Sequence, residues 1–140
     1  MLVRHHVRVT CLCALRVKHP ASLPPRAQHN AVHASDVLQT FHMIVCQGGL
    51  IPGYVDPLTH LACLLAAIVH DYEHRGLTND FLINSGDDLA VTYNDSSPME
   101  NHHLAAAFRL LKTQGFDFLA RLSKSDMHTL RKVMRGIGTN

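Results

Sequence analysis

The chain has 140 residues, of which 46% are apolar and 17% are charged, enough hydrophobic material for one small globular domain but hardly for two. It contains no run of about 18 consecutive apolar residues, so the sequence predicts no transmembrane segment. The net charge is only +2, the basic residues lie towards the two ends and tryptophan is absent, which argues against binding to nucleic acid.

The first 27 residues form a separate compositional region. All of its charged side chains are basic, since the first acidic residue of the chain is Asp36, and three prolines interrupt it. An acid-free leader with arginines suggests an organelle transit peptide, but the prolines and the scarcity of serine favour a disordered or non-homologous leader over residues 1–27. We expect the folded domain to occupy residues 28–140.

The four cysteines lack the paired spacing of a disulfide framework. Two of them, Cys46 and Cys63, lie in apolar helical segments, where a free thiol packs as a small hydrophobic group. Free thiols indicate a reducing compartment, so we expect a cytoplasmic protein, with organelle import as the less favoured alternative. The sequence does not specify an oligomeric state.

The first helix is predicted from residue 31 to residue 47. Its apolar residues recur at intervals of three and four, and two glycines follow it at positions 48 and 49. The polar face of this amphipathic helix carries His33 and Asp36, with His29 just before its start. The helix therefore presents two histidines and an aspartate on one side.

A second helix is predicted from Pro57 to Val69. Asp56 and Pro57 have the residue types of an N-cap and a first helical turn. The apolar residues that follow point in nearly every direction, which is typical of a helix surrounded by other helices. We expect it to be the central buried helix, in contact with the helix of His33 and with a later helix that carries Leu104.

The segment from residue 73 to residue 95 is rich in Gly, Asn, Asp and Thr and predicts a long irregular connection with two short apolar groups. After it, Ser97, Pro98 and Glu100 have the pattern of a capping box with proline in the first turn, and they predict a helix that runs to about Lys112.

A last helix is predicted from about Asp126 to Gly136, with basic residues near its C-terminal end. No segment of useful length has the alternating pattern of a strand, and no internal repeat is present. The sequence therefore predicts an all-α fold, a helical bundle.

Histidines and acidic residues are concentrated where cations are missing. Between Ala27 and His74 there is no Lys or Arg, but there are six histidines and four acidic residues. Imidazole and carboxylate groups without competing cations suit a bound divalent metal ion.

Two short motifs supply candidate ligands, and each has a second explanation. His29 and His33 are four residues apart, so they lie on one side of a helix and can face one site, although many such pairs are exposed surface histidines. His70 and Asp71 end the apolar helix and offer a nitrogen and an oxygen ligand from one anchor. The alternative is an ordinary helix end, at which the imidazole meets the helix dipole and Asp71 caps the next turn.

The stretch from Tyr93 to His103 is equally open. Glu100 is explained as the partner of a Ser97 cap, and His102 and His103 as polar positions on a helix. A functional interpretation instead places Glu100 and one of the histidines beside a metal site. Spacing alone does not separate these two interpretations.

Four motifs taken together resemble one family. They are H-N-x-x-H-x-x-D-V at 29–37, H-D-x-x-H-x-G at 70–76, N-x-F-L-I-N at 79–84 and Y-N-D-S-S-x-x-E-N-H-H at 93–103. Their order resembles the class I cyclic nucleotide phosphodiesterases, whose catalytic domain is all-helical and similar to the HD domains, and the likeness extends over about residues 28–135. The stretch 81–111 looks most like the cAMP-selective branch.

The resemblance implies a function and a set of roles. It implies hydrolysis of cAMP or cGMP to the 5′-monophosphate at a centre of two divalent ions, Zn²⁺ and Mg²⁺ or Mn²⁺. By this resemblance, His29 is the general acid that protonates the leaving O3′. His33, His70 and Asp71 are metal ligands, and Asp71 bridges to the second ion. His74 lies near the phosphate, Asn79 lies on the side of the pocket, and Glu100 lies near metal-bound water. If one ion binds His33, His70 and Asp71, these three must converge in the fold.

The sequence also departs from the family pattern. Gln28 stands where the family usually has a tyrosine, and the second aspartate ligand, the purine-binding glutamine and the aromatic clamp belong to a later part of that domain. We therefore expect a partial catalytic domain and weak or no activity from the isolated chain. The alternatives are a catalytically inactive remnant that acts as a metal-binding or interaction module, and another HD-type metallophosphohydrolase. The N-x-F-L-I-N and E-N-H-H motifs favour the phosphodiesterase over the last of these.

Overall fold

The structure is a computed structural model that describes residues 31–51 and 53–138. The expected leader at 1–27, Gln28 and His29 lie outside the described residues. Within the described ranges the chain forms six helices and no strand, which confirms the all-α class. The helices are α1 (Ala31–Gln47), α2 (Pro57–Val69), α3 (Asn79–Ser85), α4 (Asp88–Thr92), α5 (Pro98–Leu110) and α6 (Lys124–Gly138).

Helix α1 ends at the glycines that the sequence indicated. The N–H of Gly48 donates to the carbonyl oxygen of Ile44 at 2.8 Å. Gly49 follows with φ of +74°, a left-handed conformation that residues with a side chain rarely adopt. The chain therefore leaves α1 in a tight turn, and α2 can run back beside it.

Helix α2 is the central element, as predicted. The Oδ1 atom of Asp56 accepts hydrogen bonds from the N–H groups of Leu58 and Thr59 at 2.9 and 3.0 Å, which caps its first turn. It packs against α1, α5 and, most extensively, α6. Its buried residues are Ala62, Leu65, Ala66, Ile68 and Val69. The other side of the main core comes largely from α6, whose Leu130 and Met134 are fully buried.

The long irregular connection expected over residues 73–95 was wrong, because the segment contains the short helices α3 and α4. Its polar residues act as caps: the Thr78 hydroxyl accepts from the N–H of Phe81 at 3.2 Å, and Asp87 Oδ1 accepts from the N–H of Leu89 at 3.0 Å. Each of its two apolar groups contributes one buried residue, Leu82 or Ala90, to a second, smaller core that also contains Met99. Each helix is too short to produce a clear period in the sequence.

The predicted capping box of α5 was also wrong. Ser97 has φ of +42° and its side chain makes no capping hydrogen bond. The cap comes from α3 instead, since the N–H of Met99 donates to Asn79 Oδ1 at 3.0 Å and Asn79 Nδ2 donates to Glu100 Oε2 at 2.8 Å. This one side chain ties the start of α3 to the start of α5.

The remaining differences concern helix ends. Helix α5 stops at Leu110, two residues before the predicted end at about Lys112. Helix α6 begins at Lys124 rather than Asp126, because the Ser123 hydroxyl caps it by accepting from the N–H of Asp126 at 3.0 Å. None of the helices in the described ranges is long and apolar enough to cross a membrane.

Candidate metal centre

Three residues predicted as ligands meet where the N-terminal turn of α1 passes the C-terminal end of α2. His33 Nε2 lies 3.2 Å from His70 Nε2 and 3.2 Å from Asp71 Oδ2. His70 Nε2 lies 3.0 Å from the same carboxylate oxygen. The antiparallel packing of α1 and α2 thus brings together residues 37 positions apart.

The orientation of His70 suits a ligand. Its Nδ1 lies 2.9 Å from the carbonyl oxygen of Ala67, one turn earlier in α2. A carbonyl only accepts, so Nδ1 carries a proton, and Nε2, the atom that lies beside His33 and Asp71, is the nitrogen that can bind a metal ion. Two imidazoles and a carboxylate form a donor set that suits Zn²⁺. The residues therefore fit a divalent ion.

A second group shares the same carboxylate. One ligand atom each of Asp71, His74 and His103 lies within 4.8 Å of the others. His103 is only 3% exposed, and its Nδ1 donates to the carbonyl oxygen of Tyr72 at 2.6 Å. Burial lowers the pKa of His103 and the bond to Tyr72 offsets this only in part, so the ring is neutral at neutral pH with its lone pair on Nε2. Asp71 is placed to bridge two neighbouring sites.

His74 differs from His70 and His103 in which ring nitrogen carries the proton. Its Nδ1 accepts from the N–H of Gly76 at 2.8 Å, so the proton of the neutral ring is on Nε2. Its ring stacks on that of His103 with centroids 5.5 Å apart. A fixed imidazole N–H at the edge of a metal site suits an anionic oxygen better than a cation.

Asn79 and Glu100 lie together and belong to neither group of candidate ligands. They hydrogen-bond each other at 2.8 Å, and both are partly buried. The structure explains why both residue types occur here, since the amide holds the carboxylate at the start of α5, one turn before His103. Their predicted roles near metal-bound water and in the pocket stay predictions. That of His29 does too, because His29 precedes the described residues.

The histidine pair left open by the sequence is resolved by the fold. His103 faces Asp71 and His74, whereas His102 Nε2 lies 3.0 Å from Glu73 Oε2. One histidine beside the site was among the predicted alternatives, but the contact of His102 with Glu73 was not expected, and Glu73 was not considered as a site residue. The only signal in the sequence was the E-N-H-H motif at 100–103, which marks the segment without saying which histidine points to the metal centre.

The chain matches the profile of one protein family over residues 28–137, and that family is described as 3′5′-cyclic nucleotide phosphodiesterase. The 3′,5′-cyclic-AMP phosphodiesterase, isoform F, of Drosophila melanogaster is 46% identical over 106 residues. These are 76% of this chain and 16% of that protein. The dual specificity calcium/calmodulin-dependent 3′,5′-cyclic nucleotide phosphodiesterase 1 of the same organism is 47% identical over 103 residues, covering 74% of this chain and 12% of that one.

Solved structures give the same result for the fold. The phosphodiesterase domain of Salpingoeca rosetta rhodopsin phosphodiesterase superposes with a TM-score of 0.79 and 33% sequence identity. The match covers 91% of this chain and 37% of that domain. The chain thus spans about a sixth or less of the two curated relatives and over a third of the solved domain. The profile match, the identities and the superposition show that the chain belongs to the 3′,5′-cyclic nucleotide phosphodiesterase family.

Proposed function

We propose that these residues form part of a centre that hydrolyses a 3′,5′-cyclic nucleotide to the 5′-monophosphate, with cAMP favoured over cGMP. The observation that carries the proposal is the meeting of His33, His70 and Asp71 within 3.2 Å, in a chain of this family. Zn²⁺ suits this first group. A second ion, Mg²⁺ or Mn²⁺, would share Asp71 on the side of His74 and His103.

The side chains divide the work of such a reaction. Divalent ions, when bound, lower the pKa of water and neutralise charge on the phosphoryl oxygens. Asp71, whose side chain is 20% exposed, would hold both ions, and the Nε2–H of His74 would donate a hydrogen bond to an anionic phosphoryl oxygen. Glu100, held by Asn79, would lie near the attacking water, and His29 would protonate the leaving O3′.

Substitution of Asp71 tests the proposal. Hydrolysis of cAMP and cGMP is measured with Zn²⁺ and Mg²⁺ supplied, together with the metal content of the chain. Asp71→Asn is expected to abolish hydrolysis and reduce bound metal. Asp36→Asn removes an exposed carboxylate from the same helix as His33 and is the matched control. Because weak or no activity is expected from the isolated chain, bound metal is the decisive measurement where turnover is too low to detect. Turnover or bound metal that Asp71→Asn leaves unchanged would contradict the proposal.

The base preference is tested by the ratio of kcat/KM for cAMP to that for cGMP. The proposal depends on the likeness of residues 81–111 to the cAMP-selective branch. The two Drosophila relatives do not separate the bases, since the cAMP phosphodiesterase and the dual specificity enzyme are 46% and 47% identical. A ratio at or below one would reject the preference and leave the hydrolytic function intact.

The proposed compartment is the cytoplasm. Cys46 and Cys63 are free thiols, as expected for a reducing environment. Microscopy of a C-terminally tagged chain tests this, and accumulation in an organelle would support import by the N-terminal 27 residues instead.

A further inference from the structure

The loop that carries two site residues has an unusual backbone. Residues 71–74, here called the metal loop, leave the end of α2 in consecutive turns, with the N–H of Tyr72 bonded to the carbonyl of Val69 at 3.0 Å and the N–H of His74 to that of Asp71 at 3.1 Å. Glu73 has φ of +61°, a left-handed conformation that a glutamate rarely adopts. Because His74 follows directly, its direction depends on this conformation.

Two adjacent histidines of α5 hold two adjacent residues of the metal loop. His103 donates to the carbonyl oxygen of Tyr72 at 2.6 Å, and His102 Nε2 donates to the Glu73 carboxylate at 3.0 Å. The Tyr72 side chain also hydrogen-bonds Glu73, and burial together with the Glu73 charge and this bond raises the pKa of Tyr72. Within the described residues, only the bond from His102 joins the side chain of Glu73 to another helix.

We propose that Glu73 and His102 form a positioning pair that holds the metal loop in its left-handed conformation and thereby sets the affinity of the centre for divalent metal. The inference rests on the proposed function, since it concerns the same centre. Glu73 belongs to neither group of candidate ligands, because its carboxylate is turned towards His102 and Tyr72. It therefore acts through the loop.

Metal affinity depends on the fraction of chains in which the metal loop has its left-handed conformation. Without the bond to His102, a glutamate favours right-handed or extended conformations. Either would shift the loop that begins at the candidate ligand Asp71 and displace His74 from its stack on the candidate ligand His103. A site that is competent only part of the time binds with an affinity reduced by that fraction. Groups that orient metal ligands typically change metal affinity by about 10 to 100-fold when they are removed.

A series of substitutions at Glu73 separates the bond from the backbone. Metal affinity is measured by competition with a chelating indicator, using Zn²⁺ and Mn²⁺ separately. Glu73→Ala loses the bond and keeps the unfavourable φ, so it should weaken binding most, by about 10 to 100-fold. Glu73→Gly loses the bond but accepts the conformation, so its loss should be smaller. Glu73→Gln keeps an acceptor for His102 and should restore most of the affinity.

The matched control is Arg75→Gln. Arg75 follows the metal loop and pairs with Asp87 at 2.9 Å, without contact to His102. This substitution should leave metal affinity within about twofold, since surface ion pairs contribute little. The melting temperature of the metal-free chain is recorded for each variant, so that general destabilisation is separated from loss of positioning.

A double-mutant cycle completes the test. His102→Ala should weaken binding by about as much as Glu73→Ala, and it should have no further effect in the Glu73→Ala background. Equal losses for Ala, Gly and Gln at position 73, or additive effects of the two alanines, would overturn the inference. If Asp71→Asn abolishes metal binding while Glu73→Ala leaves it unchanged, the positioning pair is rejected and the proposed centre stands. Absence of metal binding in the parent chain would overturn both.

Discussion

Removal of the Asn79 side chain tests whether α5 is capped from α3 rather than by its own Ser97. Asn79→Ala deletes the acceptor of the Met99 N–H at 3.0 Å and the donor to Glu100 at 2.8 Å. The bond to a charged group contributes about 1.5–3 kcal/mol and the cap about 1 kcal/mol when fully buried. Both side chains are only partly buried, so water replaces part of each bond. We expect a loss of about 1–2 kcal/mol in the free energy of unfolding.

Urea unfolding, followed by far-UV circular dichroism, measures this loss. Ser97→Ala is the control, and it should change the free energy of unfolding by less than about 0.5 kcal/mol, because the Ser97 side chain makes no capping bond. Asn79→Asp keeps the acceptor for Met99 but places a second carboxylate against Glu100, so it should be at least as damaging as Asn79→Ala near pH 7. The reasoning is refuted if Ser97→Ala costs more than Asn79→Ala, since α5 would then depend on its local capping box.

Met134 is fully buried in the core between α6 and α2, so Met134→Ala should destabilise the chain by about 2–5 kcal/mol in urea unfolding, whereas the exposed Lys132→Ala should stay within about 0.5 kcal/mol. Within the described part of the chain, the buried Nε2 of His60 has no hydrogen-bond partner, so His60→Leu should raise the melting temperature. Burial and the nearby His42 lower the pKa of His60, so the unfolded chain binds a proton at this histidine more readily than the folded chain does. The folded state therefore loses stability as the pH falls through about 6.5, and the stability advantage of His60→Leu should widen from pH 7 to pH 5. A constant difference between the two chains would contradict this. Chelation of metal should lower the melting temperature of the parent chain but not that of Asp71→Asn, and equal shifts would place the metal elsewhere.

The long helices could be predicted because their signals are local. The Asp56–Pro57 pair indicates the start of α2, and two glycines indicate the end of α1, because a cap involves only residues within one turn. The burial of α2 follows from apolar residues on all of its faces. Helices α3 and α4 also have local caps, at Thr78 and Asp87, but a helix of seven or five residues completes too few turns to show a period. Without a period, these polar residues look like parts of a loop.

The contact of His33 with His70 and Asp71 could not be predicted from local signals in the sequence. Their spacing in the sequence left surface histidines and an ordinary helix end as alternatives, and only the order of four motifs favoured one site. In physical terms the contact depends on the antiparallel packing of α1 and α2, which is set by the turn after Gly48 and by the shared core. Periodicity predicts each helix but not which ends become neighbours.

The capping box failed because a tertiary contact replaced a local one. Ser97 and Glu100 have the required types and spacing, but the left-handed backbone of Ser97 directs its side chain away from the helix N–H groups. Asn79 carries both a donor and an acceptor, so one amide satisfies Met99 and Glu100 at the same time. Because the capping residue belongs to another helix, the sequence of α5 itself does not indicate this cap.

The sequence alone also did not show which of the two neighbouring histidines of α5 faces Asp71. Consecutive residues of a helix point about 100° apart, so only one of His102 and His103 can face Asp71. Their rings are inclined by 63° to each other, and the metal loop passes close enough to α5 for both to bond to it. Which histidine faces the ligands therefore depends on the rotation of α5 about its axis, and the Asn79 cap helps to set that rotation through the first turn. The geometry of the candidate metal centre is thus linked to the hydrogen bonds of Asn79 at the start of α5, although Asn79 is not itself a candidate ligand.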